Sequence, residues 1–265
     1  MSRISLTTLR QMKQEGEKIA ALTAYDASFA RLIEDAGVEV LLVGDSLGMV
    51  VQGQASTTPV SLDEMVYHCA LVSRGSQRAL LIADLPFLSY TSPQQALASA
   101  ARLMKEGGAQ MVKLEGGAVM VDTVAQLAAQ GVPVCAHLGL LPQSVHKLGG
   151  YRIQGREASD AEQILADALA MEQAGADLLV LECVPRALAR QISEAVSMPV
   201  IGIGAGPDTD GQVLVLYDML GITPGKRPKF SHDFVADTGA IDKALAAYTS
   251  QVKSCDFPAA KHCFD

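Results

Sequence analysis

The sequence predicts an α/β fold, a single (β/α)8 barrel over residues 1–265 with a helix ahead of it, and three observations predict it. Short apolar runs recur along the whole chain, with helix-patterned segments between them. That alternation implies βαβ units and a parallel sheet. The runs are continuously apolar, as parallel strands covered on both faces are. Several end on an acidic residue: VEVLLVGDS (38–46) on Asp45, ALLIADLPF (79–87) on Asp84, MVKLEG (111–116) on Glu115 and DLLVLEC (177–183) on Glu182. The C-terminal rim of a barrel is where its chemistry collects. The length, 265 residues, is close to that of one such barrel.

The elements follow in order. MSRISLTTLRQMKQEGEK reads as an amphipathic helix capped by Ser5 or Thr7, with Leu9 and Met12 facing inward. It has no apolar core of the signal-peptide kind. IAALTAY (19–25) is the first strand. DASFARLIEDAG (26–37) is a helix from an Asp cap to Gly37. The strand 38–46 comes next. SLDEMVYHCALVSRG (61–75) opens with Ser61 and Glu64 in capping-box spacing. After the strand 79–87, SPQQALASAARLMKEGG (92–108) has Ser at the cap and Pro at the first helical position. The strands 111–116, PVCAHLGL (133–140), 177–183 and PVIGIGAG (199–206) alternate with helices at 159–175 and 184–196. GQVLVLYDMLG (211–221) has strand composition but follows the seventh strand too closely for a parallel crossover. Asp210 as cap and Gly221 as stop favour a helix there, which leaves the eighth strand near RPKFS (227–231). A terminal helix fills 233–253.

Composition excludes some functions. The net charge is −8, which speaks against nucleic acid and against an anionic membrane surface. No run approaches the length of a membrane span. Five scattered cysteines, none spaced CxxC, suit neither a zinc site nor a disulfide framework, and point to a reducing cytoplasm.

Asp45, Asp84 and Glu115 are the candidate metal ligands. One Asp after a strand is ordinarily a helix cap. Three carboxylates on one rim repel unless a cation or protons lie between them, and hard oxygens suit Mg²⁺. Lys113 and Glu115 lie two apart, so a strand puts both on one face. They form either a structural ion pair or a cation for an anionic substrate beside the metal shell. Glu182 ends a very apolar strand, where desolvation suits it to proton transfer; a salt bridge to Arg186 is the plain alternative. Cys183 alternates to the other face as core. His137 reads as a hydrogen-bonded structural residue. GIGAG (202–206) is no GxGxxG fingerprint and reads as close backbone approach. The loops 44–60 and 137–156 are long, which on a rigid scaffold marks function.

Longer strings carry a resemblance. TAYD (23–26), LLVGDSLGMVVQG (41–53), ADLPF (83–87), VKLEGG (112–117), HLGLLPQS (137–144), GGYRIQGR (149–156), LLVLECVP (178–185), IGIGAG (201–206), TDGQ (209–212) and PKF (228–230) resemble, in order, the ketopantoate hydroxymethyltransferase family. Ala136, Leu141 and Tyr217 depart from the family's usual Gly, Thr and His. The resemblance implies a barrel of the phosphoenolpyruvate mutase/isocitrate lyase type. It implies hydroxymethyl transfer from 5,10-methylenetetrahydrofolate to 3-methyl-2-oxobutanoate through a Mg²⁺-stabilised enolate, giving 2-dehydropantoate for pantothenate and coenzyme A. By position it implies Asp45, Asp84 and Glu115 in the metal shell. Asp45, Ser46, Asp84 and Lys113 would contact the oxo acid, and Glu182 would be the acid/base. Folate would lie against the 44–60 or 137–156 loop, and the assembly would be a homodecamer. Two other readings fit the barrel alone: a metal-dependent lyase or mutase acting without folate, and a non-catalytic oxo-acid-binding barrel. The intact Asp45, Asp84, Lys113 and Glu182 weigh against the last.

Overall fold

Eight short parallel strands close into a barrel in strict chain order in a computed structural model that describes residues 3–223 and 225–265. They are β1 (Ile19–Thr23), β2 (Val40–Val43), β3 (Leu80–Asp84), β4 (Met111–Glu115), β5 (Val134–Gly139), β6 (Leu178–Glu182), β7 (Val200–Ile203) and β8 (Gly211–Leu214), and β8 pairs back onto β1. Side chains alternate in and out along each strand. The outward set packs under the surrounding helices. The inward set includes Val40, Leu42, Leu80, Ile82, Met111, Cys135, Leu178 and Val180, and it fills the barrel. Among the described residues no helix is long and apolar enough to cross a membrane.

The helix Leu6–Glu15 closes the bottom. Ser5 and Thr8 form its capping box, and Leu9 and Met12 are buried against the inward strand residues. The expected caps hold elsewhere too: Asp26 on Ala27–Asp35, Ser61 with Glu64 on Leu62–Gly75, and Ser92 with Pro93 on Pro93–Lys105. The helices Ala158–Ala174 and Arg186–Ala195 lie where expected, and a further helix, Val121–Ala129, joins β4 to β5.

The last unit corrects the sequence reading. Residues 211–214 are the eighth strand, not the start of a helix, and no strand forms at 227–231. A four-residue strand is only about 13 Å long. The link 204–210 can span about 23 Å when extended, so it returns the chain to the barrel bottom without a helix. Asp210 is not a cap. Its Oδ2 accepts from Val200 N and from Lys13 Nζ, each at 2.8 Å, which ties β7 to the N-terminal helix. Only Leu216–Met219 of the predicted helix is helical. The expected terminal helix is two, Phe234–Thr238 and Ile241–Lys253, broken at Gly239 with φ 75°.

Glu34 holds the entry to β3 without having stood out in the sequence. It is buried, and its carboxylate accepts from Ser76 Oγ and from the backbone N–H of Gln77, Arg78 and Ala79 at 2.6–2.9 Å. Burial works against its charge, but those four donors win and hold it at about 2, below the usual 4.5. Its contribution to stability is therefore complete above about pH 4.5 and is lost as pH falls through about 2. Glu34→Gln is expected to cost roughly 2–3 kcal/mol in denaturant unfolding at pH 7. The difference from wild type should narrow below about pH 4.5; equal stability at pH 7 removes this account.

Candidate active site

Above the apolar layers, the inward positions change character. The two-residue period that places Leu80 and Ile82 inside next places Asp84; Met111 is followed by Lys113 and Glu115, Cys135 by His137, and Val180 by Glu182. Strand parity alone thus gathers five polar or ionisable side chains at the C-terminal mouth. Asp45 and Ser46 join them from the turn after β2. All of these residues line one cavity of about 1070 Å³.

The contacts form a chain. Asp84 Oδ2 accepts from Asp45 N at 3.0 Å, and Asp84 Oδ1 lies 2.9 Å from Lys113 Nζ. Lys113 Nζ lies 3.2 Å from His137 Nδ1. His137 Nε2 lies 3.3 Å from Glu182 Oε2, too poorly aligned to count as a hydrogen bond. Gly44 permits the turn: a Cβ there would stand 2.8 Å from Ser46 Oγ and 3.5 Å from Asp84 Oδ2. Ser46 Oγ is 2.9 Å from Tyr25 OH.

Gln143, from the loop after β5, braces the carboxylates. Its Nε2 donates to Asp45 Oδ2 at 2.9 Å, its backbone N–H donates to Glu115 Oε2 at 3.0 Å, and its Oε1 accepts from Tyr90 OH. Neither Gln143 nor Tyr90 was singled out in the sequence. Gln143 lies within HLGLLPQS and in a long loop, the one signal that could have found it; Tyr90 has none.

The electrostatics are unbalanced. Asp45, Asp84 and Glu115 are buried with one lysine among them. Burial, then the Asp84 and Glu115 charges, pushes Asp45 well up. Burial pushes Glu115 up to about 7 against the pull of Lys113, with Asp84 adding to the rise. For Lys113, burial favours the neutral form, but Asp84, Glu115 and Asp45 outweigh it and keep it charged. Burial and the Lys113 charge pull His137 down, so it is neutral. Nδ1 faces both the Lys113 ammonium at 3.2 Å and Glu115 Oε1 at 3.5 Å; the ammonium can only donate, which favours Nδ1 as acceptor and the ring proton on Nε2.

This donor set fits a hard cation. Asp84 Oδ1 is buried and accepts no hydrogen bond beyond its ion pair, and the excess of carboxylates favours a cation or protons. Among the described residues no three His, Cys, Asp or Glu side chains are spaced as a ready-made cage. Mg²⁺ needs none, because it keeps waters and takes only one or two carboxylates.

Three kinds of comparison bear on this arrangement. The profile of the ketopantoate hydroxymethyltransferase family matches residues 3–260. The 3-methyl-2-oxobutanoate hydroxymethyltransferase of Nitrosococcus oceani is 62% identical over 258 residues, covering 97% of this chain and 98% of that protein. The enzyme of the same name from Thiobacillus denitrificans is 63% identical over 262 residues, covering 98% and 99%. Among solved structures, 2,3-dimethylmalate lyase, a phosphoenolpyruvate mutase/isocitrate lyase superfamily member, superposes with a TM-score of 0.59 at 18% identity, covering 92% of this chain and 98% of its own. Phosphonopyruvate hydrolase in complex with oxalate and Mg²⁺ gives 0.62 at 14% identity, covering 99% and 93%. These likenesses show the fold, a closed parallel (β/α)8 barrel that this chain shares with them.

Proposed function

The chain belongs to the ketopantoate hydroxymethyltransferase family and is a transferase enzyme, and from that premise we propose how it works. It transfers a hydroxymethyl group to 3-methyl-2-oxobutanoate, giving 2-dehydropantoate on the way to pantothenate. The donor in this reading is 5,10-methylenetetrahydrofolate, with water consumed and tetrahydrofolate released. One observation carries the reading: three buried carboxylates, one buried lysine and the Glu182–His137 pair share a single cavity at the barrel mouth. The alternative, a lyase or mutase without folate, has fold likeness alone on its side.

Asp45 and Asp84 would hold a divalent cation such as Mg²⁺, and Glu115 would complete its shell. Bound there, the cation supplies Lewis acidity that eases loss of the C3 proton from the oxo acid. Lys113 offsets the carboxylate charge of the substrate. Ser46 Oγ can orient it by a hydrogen bond and is itself set by Tyr25. Glu182 holds or moves the proton, and the His137 ring lies between it and Lys113, with Nε2 3.3 Å from the Glu182 carboxylate and Nδ1 3.2 Å from the Lys113 ammonium. Gln143 keeps Asp45 and Glu115 in place. A homodecamer in the cytoplasm belongs to the same reading, and sedimentation of the purified protein tests the assembly.

The direct test is incubation with 3-methyl-2-oxobutanoate, Mg²⁺ and 5,10-methylenetetrahydrofolate, with product identified by mass. 2-Dehydropantoate formation that stops when folate is omitted or metal is chelated is the expected result. Product formed without folate favours a different donor.

Lys113→Met separates the substrate cation from a structural ion pair. The stem is kept and the charge is lost. KM for the oxo acid is expected to rise on the order of tenfold or more, with a fall in kcat, because the cation faces a charge present before and during reaction. Unchanged KM and kcat return Lys113 to a purely structural role.

A further inference from the structure

The cavity has a second wall, at the end of β7, that the oxo-acid chemistry leaves unused. Phe230 and Phe264 line it, the latter from the segment after the helix Ile241–Lys253. Their rings converge over Gly204. A Cβ there would stand 3.0 Å from Phe230 Cδ1 and 3.1 Å from Phe264 Cε2. Gly204 also has φ 63°, so any other residue would be strained as well as crowded. The missing side chain is what lets two aromatic rings share one place. The tail that carries Phe264 is pinned: Arg186 N donates to Phe264 O at 2.9 Å, and Lys229 Nζ donates to Cys263 O at 2.6 Å. Lys229 Nζ also lies 5.0 Å from the Phe264 ring centre, within cation–π range.

Cations line the same stretch of wall. Lys226, Arg227 and Lys229 are exposed and border the cavity, in a chain whose net charge is −8. Anionic ligands are therefore drawn to this side against the sign of the whole molecule. Size points the same way. About 1070 Å³ reaches the top of the ~300–1,000 Å³ range of pockets for drug-sized ligands, far beyond a small branched oxo acid.

We propose that Phe230, Phe264, Lys226 and Lys229 form the subsite of the folate co-substrate, Arg227 being held by Asp233 at 3.3 Å. The rings stack on its flat aromatic part, and the cations take its glutamate carboxylates. This rests on the reading that a methylene-folate is the donor. Placement supports it: Cys183 follows Glu182 directly, and its Sγ lies 3.2 Å from the same Gly204 Cβ position. The wall thus begins one residue from the candidate proton-transfer group, where the one-carbon unit must meet the oxo acid. Neither ring belongs to the 44–60 or 137–156 loop against which the sequence reading set the folate.

The test compares KM for 5,10-methylenetetrahydrofolate and for 3-methyl-2-oxobutanoate in wild type, Phe264→Leu, Phe230→Leu and Phe264→Tyr. Leucine keeps bulk and loses the π-face; tyrosine keeps the ring. Each leucine variant should raise KM for the folate by roughly 2- to 12-fold, the span of an aromatic pair energy, while KM for the oxo acid stays within about twofold. Phe264→Tyr should restore the wild-type value. Lys226→Gln should shrink the KM difference between the folate and its pteroyl analogue lacking glutamate. Equal rises in both KM values, or no rise in either leucine variant, overturn the stacking wall, and an unshrunk difference in Lys226→Gln overturns the cationic part. A wild-type enzyme that makes no product from methylenetetrahydrofolate would instead fail the donor assignment, which is a separate outcome.

Discussion

Asp84→Asn is expected to lose on the order of 10³-fold in kcat/KM, about 4 kcal/mol, while the barrel stays folded. Asparagine keeps the shape and can still accept from Asp45 N, the bond that fixes the turn after β2. It removes the charge that faces Lys113 at 2.9 Å and the oxygen that accepts no hydrogen bond. The barrel core does not involve this side chain, so the fold should survive, with the melting temperature without metal lowered because the buried Lys113 ammonium loses its 2.9 Å carboxylate partner. A second readout avoids activity altogether. Added Mg²⁺ should raise the melting temperature of wild type, because it binds the folded site and neutralises its excess charge, and should not raise that of Asp84→Asn. Asp45→Asn should behave alike. Full turnover in either variant, or in enzyme treated with chelator, removes the metal from the mechanism.

What could be read from the sequence follows from which structures are local. Asp84, Lys113, Glu115 and Glu182 were legible because strand parity is a property of the chain itself: once 80–84 and 111–115 are strands with buried Ile82 and Met111, the sides taken by the acidic and basic residues are settled. The caps at Ser5, Asp26, Ser61 and Ser92 were legible for the same reason, each involving a donor three residues away. The eighth strand was not. Gly211–Leu214 is short enough to be reached by a seven-residue link, and Asp210 spends its carboxylate on Val200 N and Lys13, partners that only the closed barrel brings near. The roles of Gln143, Tyr90 and the Phe230–Phe264 pair were hidden in the same way, although Gln143 lies in HLGLLPQS and Phe230 in PKF. These residues come from loops and a tail whose reach is set by tertiary structure, and no periodicity marks them. His137 stood between these cases. Its strand placed it inward, but its meaning depends on Lys113 at 3.2 Å on one nitrogen and Glu182 at 3.3 Å on the other.

Glu182→Gln is expected to slow turnover by roughly 10²- to 10⁴-fold, the usual worth of general acid–base catalysis. The amide keeps the size of the side chain, so packing at the end of β6 is preserved, but it cannot accept and return a proton. It also places an NH₂ or C=O where His137 Nε2 now faces a carboxylate oxygen, and the amide can turn to suit the ring. The loss should therefore fall on chemistry and leave KM for the oxo acid nearly unchanged. The step is resolved by a folate-free assay in D₂O, which follows exchange of the C3 proton of 3-methyl-2-oxobutanoate with metal present. If exchange falls together with turnover, Glu182 acts on the C3 proton. If exchange persists while turnover is lost, Glu182 serves the transfer of the one-carbon unit, consistent with its position next to Cys183 and the aromatic wall. The Arg186 salt bridge that the sequence allowed is no alternative partner, because Arg186 pairs with Asp208. Wild-type turnover in Glu182→Gln at saturating metal and both substrates would leave Glu182 as a half-buried neighbour of His137 and move the proton-transfer role to another group in the cavity.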